Sequence, residues 1–186
     1  MRLGIDLMLR SGVKIVKIFM PEHGFYQFPD AQEFEESIHP VYNIPLISLF
    51  GKRKKPTPED LKNLDLLIYD IQDVGLRYYT FIYTLVYCMK AASENEIEFL
   101  ILDRVNPLGG YVFDPRMPEE MSSFVGGYAL PLRYGLTPGE LGLYFKKTEE
   151  VGFRSENRET SRMEKKYELL RNRALLEYSI SWPSNF

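Results

Sequence analysis

Apolar positions change their spacing repeatedly along this chain, and each change marks an element. Leu3, Ile5, Leu7 and Met8 recur at helical spacing, and Ser11-Gly12 supplies a stop, which predicts a first helix over Met1–Arg10. Lys14-Ile-Val-Lys-Ile-Phe-Met20 is rich in β-branched residues up to Pro21 and predicts a strand. Ile44–Phe50, Leu64–Tyr69 and Glu98–Leu102 are further apolar runs of strand length. Thr57-Pro58-Glu59-Asp60 has a cap threonine, a proline at the first helical position and an acid at the third, so a short helix is expected to about Asn63. Thr80–Ser93 is apolar over the length of a helix, and Thr137-Pro-Gly-Glu140 repeats the capping signature before a helix to about Lys147. Pro29–Pro40 is acidic and irregular and predicts a surface excursion. Lys52–Lys55 reads as a solvated turn, since it has no glycine cradle for a phosphate. Strands separated by helices, several of them uninterrupted apolar runs, predict an α/β fold with a mostly parallel sheet and helices on both faces.

From Lys146 to Glu177 the pattern turns to interleaved Arg and Glu, a solvated helix. The expected organisation is one domain over 1–147 and a charged helical tail over 148–186. With 186 residues and 45% hydrophobic content the chain can close a core, which excludes a disordered or fibrous polypeptide. Its 23 basic and 26 acidic residues leave a net charge of -3, so no broad positive field invites nucleic acid. The longest apolar stretch, Tyr78–Met89, is too short to span a membrane and contains Tyr and Thr. Met1–Arg10 contains Asp6 and no small-residue cleavage site, so it is not a signal peptide, and a cytoplasmic location is expected. Cys88, the single cysteine, permits no internal disulfide and reads as a buried hydrophobe.

In parallel sheets ligands lie beyond the carboxyl ends of the strands. Three strand ends here carry polar groups: Pro21-Glu-His-Gly-Phe25, Asp70-Ile-Gln-Asp-Val-Gly75 with Arg77-Tyr-Tyr-Thr80, and Asp103-Arg104 with Asn106-Pro107. Each has an ordinary structural explanation. Glu22-His23 suits an exposed turn, Asp70 a cap, Arg77 an ion pair with Asp73, and Asp103-Arg104 a local salt bridge. A parallel sheet would nevertheless bring at least four carboxylates to one edge. Glu22, His23, Asp70 and Asp103 are hard-ligand types, but no spacing fixes a coordination geometry, and no metal is expected. His39 is placed in a polar loop. Glycine-rich phosphate fingerprints and the Gly-x-Ser-x-Gly motif are absent from the chain, so neither a nucleotide cofactor nor a serine nucleophile is expected. Carboxylates beside Phe25, Tyr26, Tyr78 and Tyr79 match the needs of glycoside hydrolysis, in which one acid protonates the leaving oxygen and a second group stabilises or attacks the sugar centre.

These stretches, with Ser48-Leu-Phe-Gly51, Lys55-Pro-Thr57, Ser123-Phe-Val-Gly126 and Gly135-Leu-Thr137 before Gly139-Glu-Leu141, occur in an order that resembles the exo-acting β-N-acetylmuramidase family, formerly catalogued as a domain of unknown function. The resemblance implies a Rossmann-like catalytic domain that removes N-acetylmuramic acid from the non-reducing end of peptidoglycan fragments, with no cofactor. It implies Glu22 as the catalytic acid, with His23, Asp70 and Asp73 as the other catalytic groups. Asp70 and Asp73 both stay open as its carboxylate partner. Arg77, Tyr78, Thr80, Asp103, Arg104, Asn106, Arg133 and Glu140 would contact the amino-sugar substrate. Tyr26-Gln27 departs from the Arg-Gly of the family, Val105 replaces its usual proline, and Tyr134 its usual histidine. Ser181-Trp-Pro-Ser-Asn185 resembles a shortened remnant of a longer stretch, so the chain is expected to be a member shortened at both ends. Members of the family are often exported. An edge exposed by shortening predicts a homo-oligomer. The alternative is a catalytically silent homologue that binds cell-wall sugars or a partner chain; a nucleotide-binding α/β module ranks behind both.

Overall fold

The computed structural model describes residues 4–25, 35–114, 126, 128 and 130–148. The tail expected over 148–186 lies outside them except for Thr148, as does Tyr26. Elements follow the order α1 (Gly4–Arg10), β1 (Ile18–Met20), β2 (Ser37–Ile38), β3 (Pro45–Ser48), α2 (Pro58–Leu61), β4 (Leu66–Tyr69), α3 (Phe81–Glu94), β5 (Glu98–Ile101) and α4 (Pro138–Thr148). The fold is mixed α/β. β1 pairs parallel with β3, β4 pairs parallel with β5, and β2 pairs antiparallel with β3. The hydrogen-bonded ladders form two small sheets, β1-β3-β2 and β4-β5, rather than the one mostly parallel sheet expected.

Two departures from the sequence pattern have local causes. β2 falls within the stretch expected to be irregular; its two residues are both exposed, so no alternation of apolar and polar positions announces them. β1 is shorter than the apolar run from Lys14, because its register with β3 covers only Ile18 opposite Leu46 through Met20 opposite Ser48. The turn joining β2 to β3 is organised by His39, which is buried rather than set in a polar loop. Its Nδ1 accepts from the backbone of Val41 at 3.2 Å and Tyr42 at 3.3 Å, and its ring packs between Phe25 and Tyr42.

Helix boundaries follow the capping chemistry. At α2, Asp60 N–H donates to Thr57 Oγ1 at 3.2 Å while Thr57 N–H donates to Asp60 Oδ2 at 2.8 Å, a reciprocal capping box. At the end of α3, Ile97 N–H reaches back to Ala92 O at 2.9 Å and Glu96 N–H to Ser93 O at 3.3 Å, with Glu96 at φ 56°. That is a Schellman closure with a glutamate in the left-handed position usually given to glycine. It turns the chain directly into β5.

The core gathers where α3 and α4 pack together against β5, with α3 also covering β4. Leu85, Val86, Ala91 and Ala92 of α3 and Leu141 and Phe145 of α4 are fully buried there. Cys88 lies among them, and burial pushes its thiol up to about 12, so it behaves as a small hydrophobe and not as a nucleophile. Among the described residues no helix is long and apolar enough to cross a membrane.

Candidate active site

The loop after β1 presents Glu22 in a tight turn. Gly24 N–H donates to Pro21 O at 3.1 Å, and His23 and Gly24 both take positive φ, 70° and 69°. A histidine in that region is uncommon and costs backbone energy, a feature that concentrates at functional sites. Phe81 holds the His23 ring edge-on at 6.4 Å between centroids. The Glu22 carboxylate accepts a hydrogen bond from the Thr80 hydroxyl, across 58 residues of sequence. Thr80 is the N-cap residue of α3, yet its φ of -72° and ψ of -16° are helical and its side chain makes no capping bond. Ordinarily an N-cap threonine bonds its own helix. Here that hydroxyl is given to a carboxylate on another loop.

Asp73 occupies a different environment. Its Oδ2 accepts from Gly75 N–H at 2.8 Å and from the Tyr134 hydroxyl, while Oδ1 is buried with no partner among the described residues. Burial raises the Asp73 carboxyl above its ordinary value of 3.8, more than the Tyr134 and backbone hydrogen bonds lower it. Burial, reinforced by the charge of Asp73, pushes Tyr134 and Tyr69 upward, so both stay neutral hydroxyls. Tyr69 donates to Phe81 O at 3.0 Å.

A raised carboxyl has a definite sign in stability. The folded protein keeps the Asp73 proton where the unfolded chain has lost it, so this group's contribution is full below about 3.8 and declines as pH rises through the folded value. Asp73→Asn keeps an acceptor for Gly75 and Tyr134 and has no proton to lose. Its stability relative to wild type is expected to rise with pH from about 4 upward and to level off once the wild-type group has ionised. Urea unfolding of both proteins across that range measures the difference; a difference independent of pH rejects the assignment.

The loops after β4 and β5 are laced together. Arg104 pairs with Asp70 rather than with its neighbour Asp103, and Gln72 Nε2 donates to Val105 O at 3.1 Å. Asp70 also lies against the backbone of Gly4, where a Cβ would collide with its carboxylate. Asn106 Nδ2 donates to Leu136 O at 3.0 Å, and its Oδ1 accepts from Leu108 N–H at 2.9 Å. Gly75, at φ 83°, lies so close that a Cβ would sit inside the Asn106 carboxamide. Arg77 is not the partner of Asp73; its guanidinium donates to Leu130 O at 2.7 Å and its N–H to Leu132 O at 2.9 Å.

Asp103 and Glu140 are held at the start of α4. Asp103 accepts from Thr137 Oγ1 at 2.9 Å and from Gly139 N–H at 2.8 Å, and Glu140 accepts from Thr137 N–H at 2.9 Å. Acids placed there satisfy the unpaired N–H groups and complement the helix dipole. Tyr78 is half exposed and stacks on Tyr79 with centroids 5.3 Å apart. Arg133 lies on an extended segment bridged to Phe113 and Leu76, its guanidinium carbon 5.3 Å from the Tyr111 ring centre.

Hydrogen bonds therefore connect the loop after β1 to the start of α3, and the loops after β4 and β5 to each other. Glu22 and Thr80 make the first connection and Asp70 and Arg104 part of the second, Asp73, Arg77 and Asn106 are tied to the segment 130–136, and Asp103 and Glu140 cap α4. Among the described residues no three His, Cys, Asp or Glu side chains gather as a metal cluster. Two participants escaped the sequence pattern. Tyr134 meets Asp73 across 61 residues, and Gln72 ties two loops through a backbone carbonyl. A tyrosine where a related motif has histidine was the only sign of the first.

Residues 1–171 match the family model described as exo-beta-N-acetylmuramidase NamZ, N-terminal. The peptidoglycan beta-N-acetylmuramidase NamZ of Bacillus subtilis (strain 168) is 48% identical over 148 residues, which cover 77% of this chain and 35% of that protein. Crystal structures of two DUF1343 family proteins from Bacteroides fragilis NCTC 9343 superpose with TM-scores of 0.72 and 0.67 at 39% and 38% identity. The first match covers 80% of this chain and 38% of that one, the second 78% and 39%. The chain thus spans about a third of the length of the curated relative, by its 35% share.

Proposed function

This chain belongs to the exo-β-N-acetylmuramidase family, matched over that family's N-terminal part, and from this premise we propose that it cleaves N-acetylmuramic acid from the non-reducing end of peptidoglycan fragments. The observation that carries the reading is the Thr80–Glu22 hydrogen bond, which holds a carboxylate at a strand end through one oxygen, Oε2. The other oxygen, Oε1, has no hydrogen-bond partner among the described residues and would meet a glycosidic oxygen. In this mechanism Glu22 donates its proton to the leaving oxygen as the bond from that oxygen to the sugar's anomeric carbon breaks. Positive charge develops on the ring, and water finally supplies the hydroxyl of the released sugar.

Asp70 is the better candidate for the second carboxylate. It is only partly buried, and its ion pair with Arg104 of the next loop fixes its position. Asp73 has a buried oxygen with no partner among the described residues and a raised carboxyl, and it acts as the post that fixes the Gly75–Arg77 loop. Tyr78, stacked on Tyr79, offers a ring face to a sugar. We also read β3-β1 and β4-β5 as neighbouring parallel halves of one Rossmann-like sheet, a reading supported by the contact between the loop after β1 and the start of α3.

The test is release of chromophore from a chromogenic β-N-acetylmuramide by the folded chain. Turnover supports the assignment. Sugar binding without turnover assigns the chain instead to the silent, sugar-binding reading. A second expected result concerns Thr80. Thr80→Val removes the hydroxyl but keeps the shape, and is expected to lower kcat about tenfold with the fold retained, while Thr80→Ser stays near wild type. Equal activity of the valine variant would remove Thr80 from the site.

A further inference from the structure

Arg133 sits between two residues already tied to the Asp73 loop. Leu132 O accepts from Arg77 N–H at 2.9 Å, and Tyr134 gives its hydroxyl to Asp73. Along an extended segment successive side chains face opposite ways. With Tyr134 turned to buried Asp73, Arg133 is turned to the other face, its guanidinium carbon 5.3 Å from the centre of the exposed Tyr111 ring. Its Nε is buried with no acceptor among the described residues. Native structures rarely leave a buried donor unmet, and each instance calls for a cause. The arginines of the loops after β4 and β5 are occupied, Arg77 by Leu130 O and Arg104 by Asp70.

With Nε buried and the guanidinium held over Tyr111, the Nη end of Arg133 is the part a ligand can reach, and its planar fork matches a carboxylate. N-acetylmuramic acid differs from N-acetylglucosamine by one lactyl ether, which adds a single carboxylate. We propose that Arg133, seated on Tyr111, takes the lactyl carboxylate and is the group by which this site distinguishes muramic from glucosamine sugars. The proposal rests on the glycosidase reading above and specifies its sugar selectivity.

Calorimetric titration of the full chain with free N-acetylmuramic acid and free N-acetylglucosamine tests it. Wild type is expected to bind the former at least about tenfold more tightly, the scale of one charge-assisted contact. Arg133→Gln is expected to erase that preference. Arg133→Lys keeps the charge and the aliphatic stem but loses the fork, and recovers only part of the preference; it carries the test should the glutamine variant fail to fold. A preference unchanged in both variants, or equal binding of the two sugars by wild type, overturns the assignment of Arg133 and leaves the glycosidase reading standing. Binding of neither sugar by folded wild type overturns both.

Discussion

Glu22→Gln is expected to lower turnover of an N-acetylmuramide by about 10²–10⁴-fold, the usual contribution of a positioned proton donor. Glutamine has nearly the shape of glutamate, and its carbonyl oxygen still accepts from the Thr80 hydroxyl, so thermal melting is expected to stay unchanged. Only the transferable proton is lost. Two leaving groups separate the possible roles. A nitrophenolate departs with little help, whereas a sugar alkoxide needs the proton, so the variant is expected to lose far more activity on a disaccharide than on an aryl glycoside. Equal losses on both substrates would make Glu22 the nucleophile instead. Full activity on the disaccharide would remove it from the chemistry.

The second large effect is on stability. Gly75→Ala places a Cβ at φ 83°, which costs about 1–2 kcal/mol in backbone energy alone. That Cβ would also overlap the Asn106 carboxamide, which cannot swing away cheaply because Leu136 O and Leu108 N–H hold both of its ends. Overpacking of this kind adds about 1–3 kcal/mol, for a total of about 2–5 kcal/mol and a fall in Tm of roughly 5–20 °C. Gly75 N–H is also a donor to Asp73, so catalysis should fall with stability. Asn106→Ala separates the two causes. If overlap dominates, the double variant Gly75→Ala/Asn106→Ala loses at least about 1 kcal/mol less than the sum of the single variants. If φ dominates, the losses add. A Tm within about 2 °C of wild type for Gly75→Ala would contradict the geometry.

Local chemistry was the readable part of the fold. Thr57 and Asp60 cap α2, and Thr137 and Glu140 exchange bonds at α4, because a capping box needs only residues three apart. The apolar runs that became β4, α3 and β5 lie within a residue or two of their expected bounds, since burial in the core imposes their spacing. The pairing of strands was less legible. β2 is too short and too exposed to carry a period, and the ends of β1 depend on how far β3 runs beside it.

The site divides in the same way. Residue types at strand ends singled out Glu22, Asp70, Asp73 and Asp103 as candidates from the sequence alone, because ligands of parallel strands lie beyond their carboxyl ends. The family, too, is a property of motif order, and it was legible before any coordinate. Partnership was decided by the tertiary structure. Asp70 pairs with Arg104 and Asp103 caps α4, although Asp103 is the neighbour of Arg104 in the chain. Thr80 leaves its own helix end to hold Glu22, and Tyr134 crosses 61 residues to reach Asp73. Capping and periodicity act over a few residues and are written in the order of the chain. Desolvation and hydrogen-bond partnership act through space, so only the folded arrangement determines which of several equivalent carboxylates pairs with a cation, which is buried and which is held by a hydroxyl.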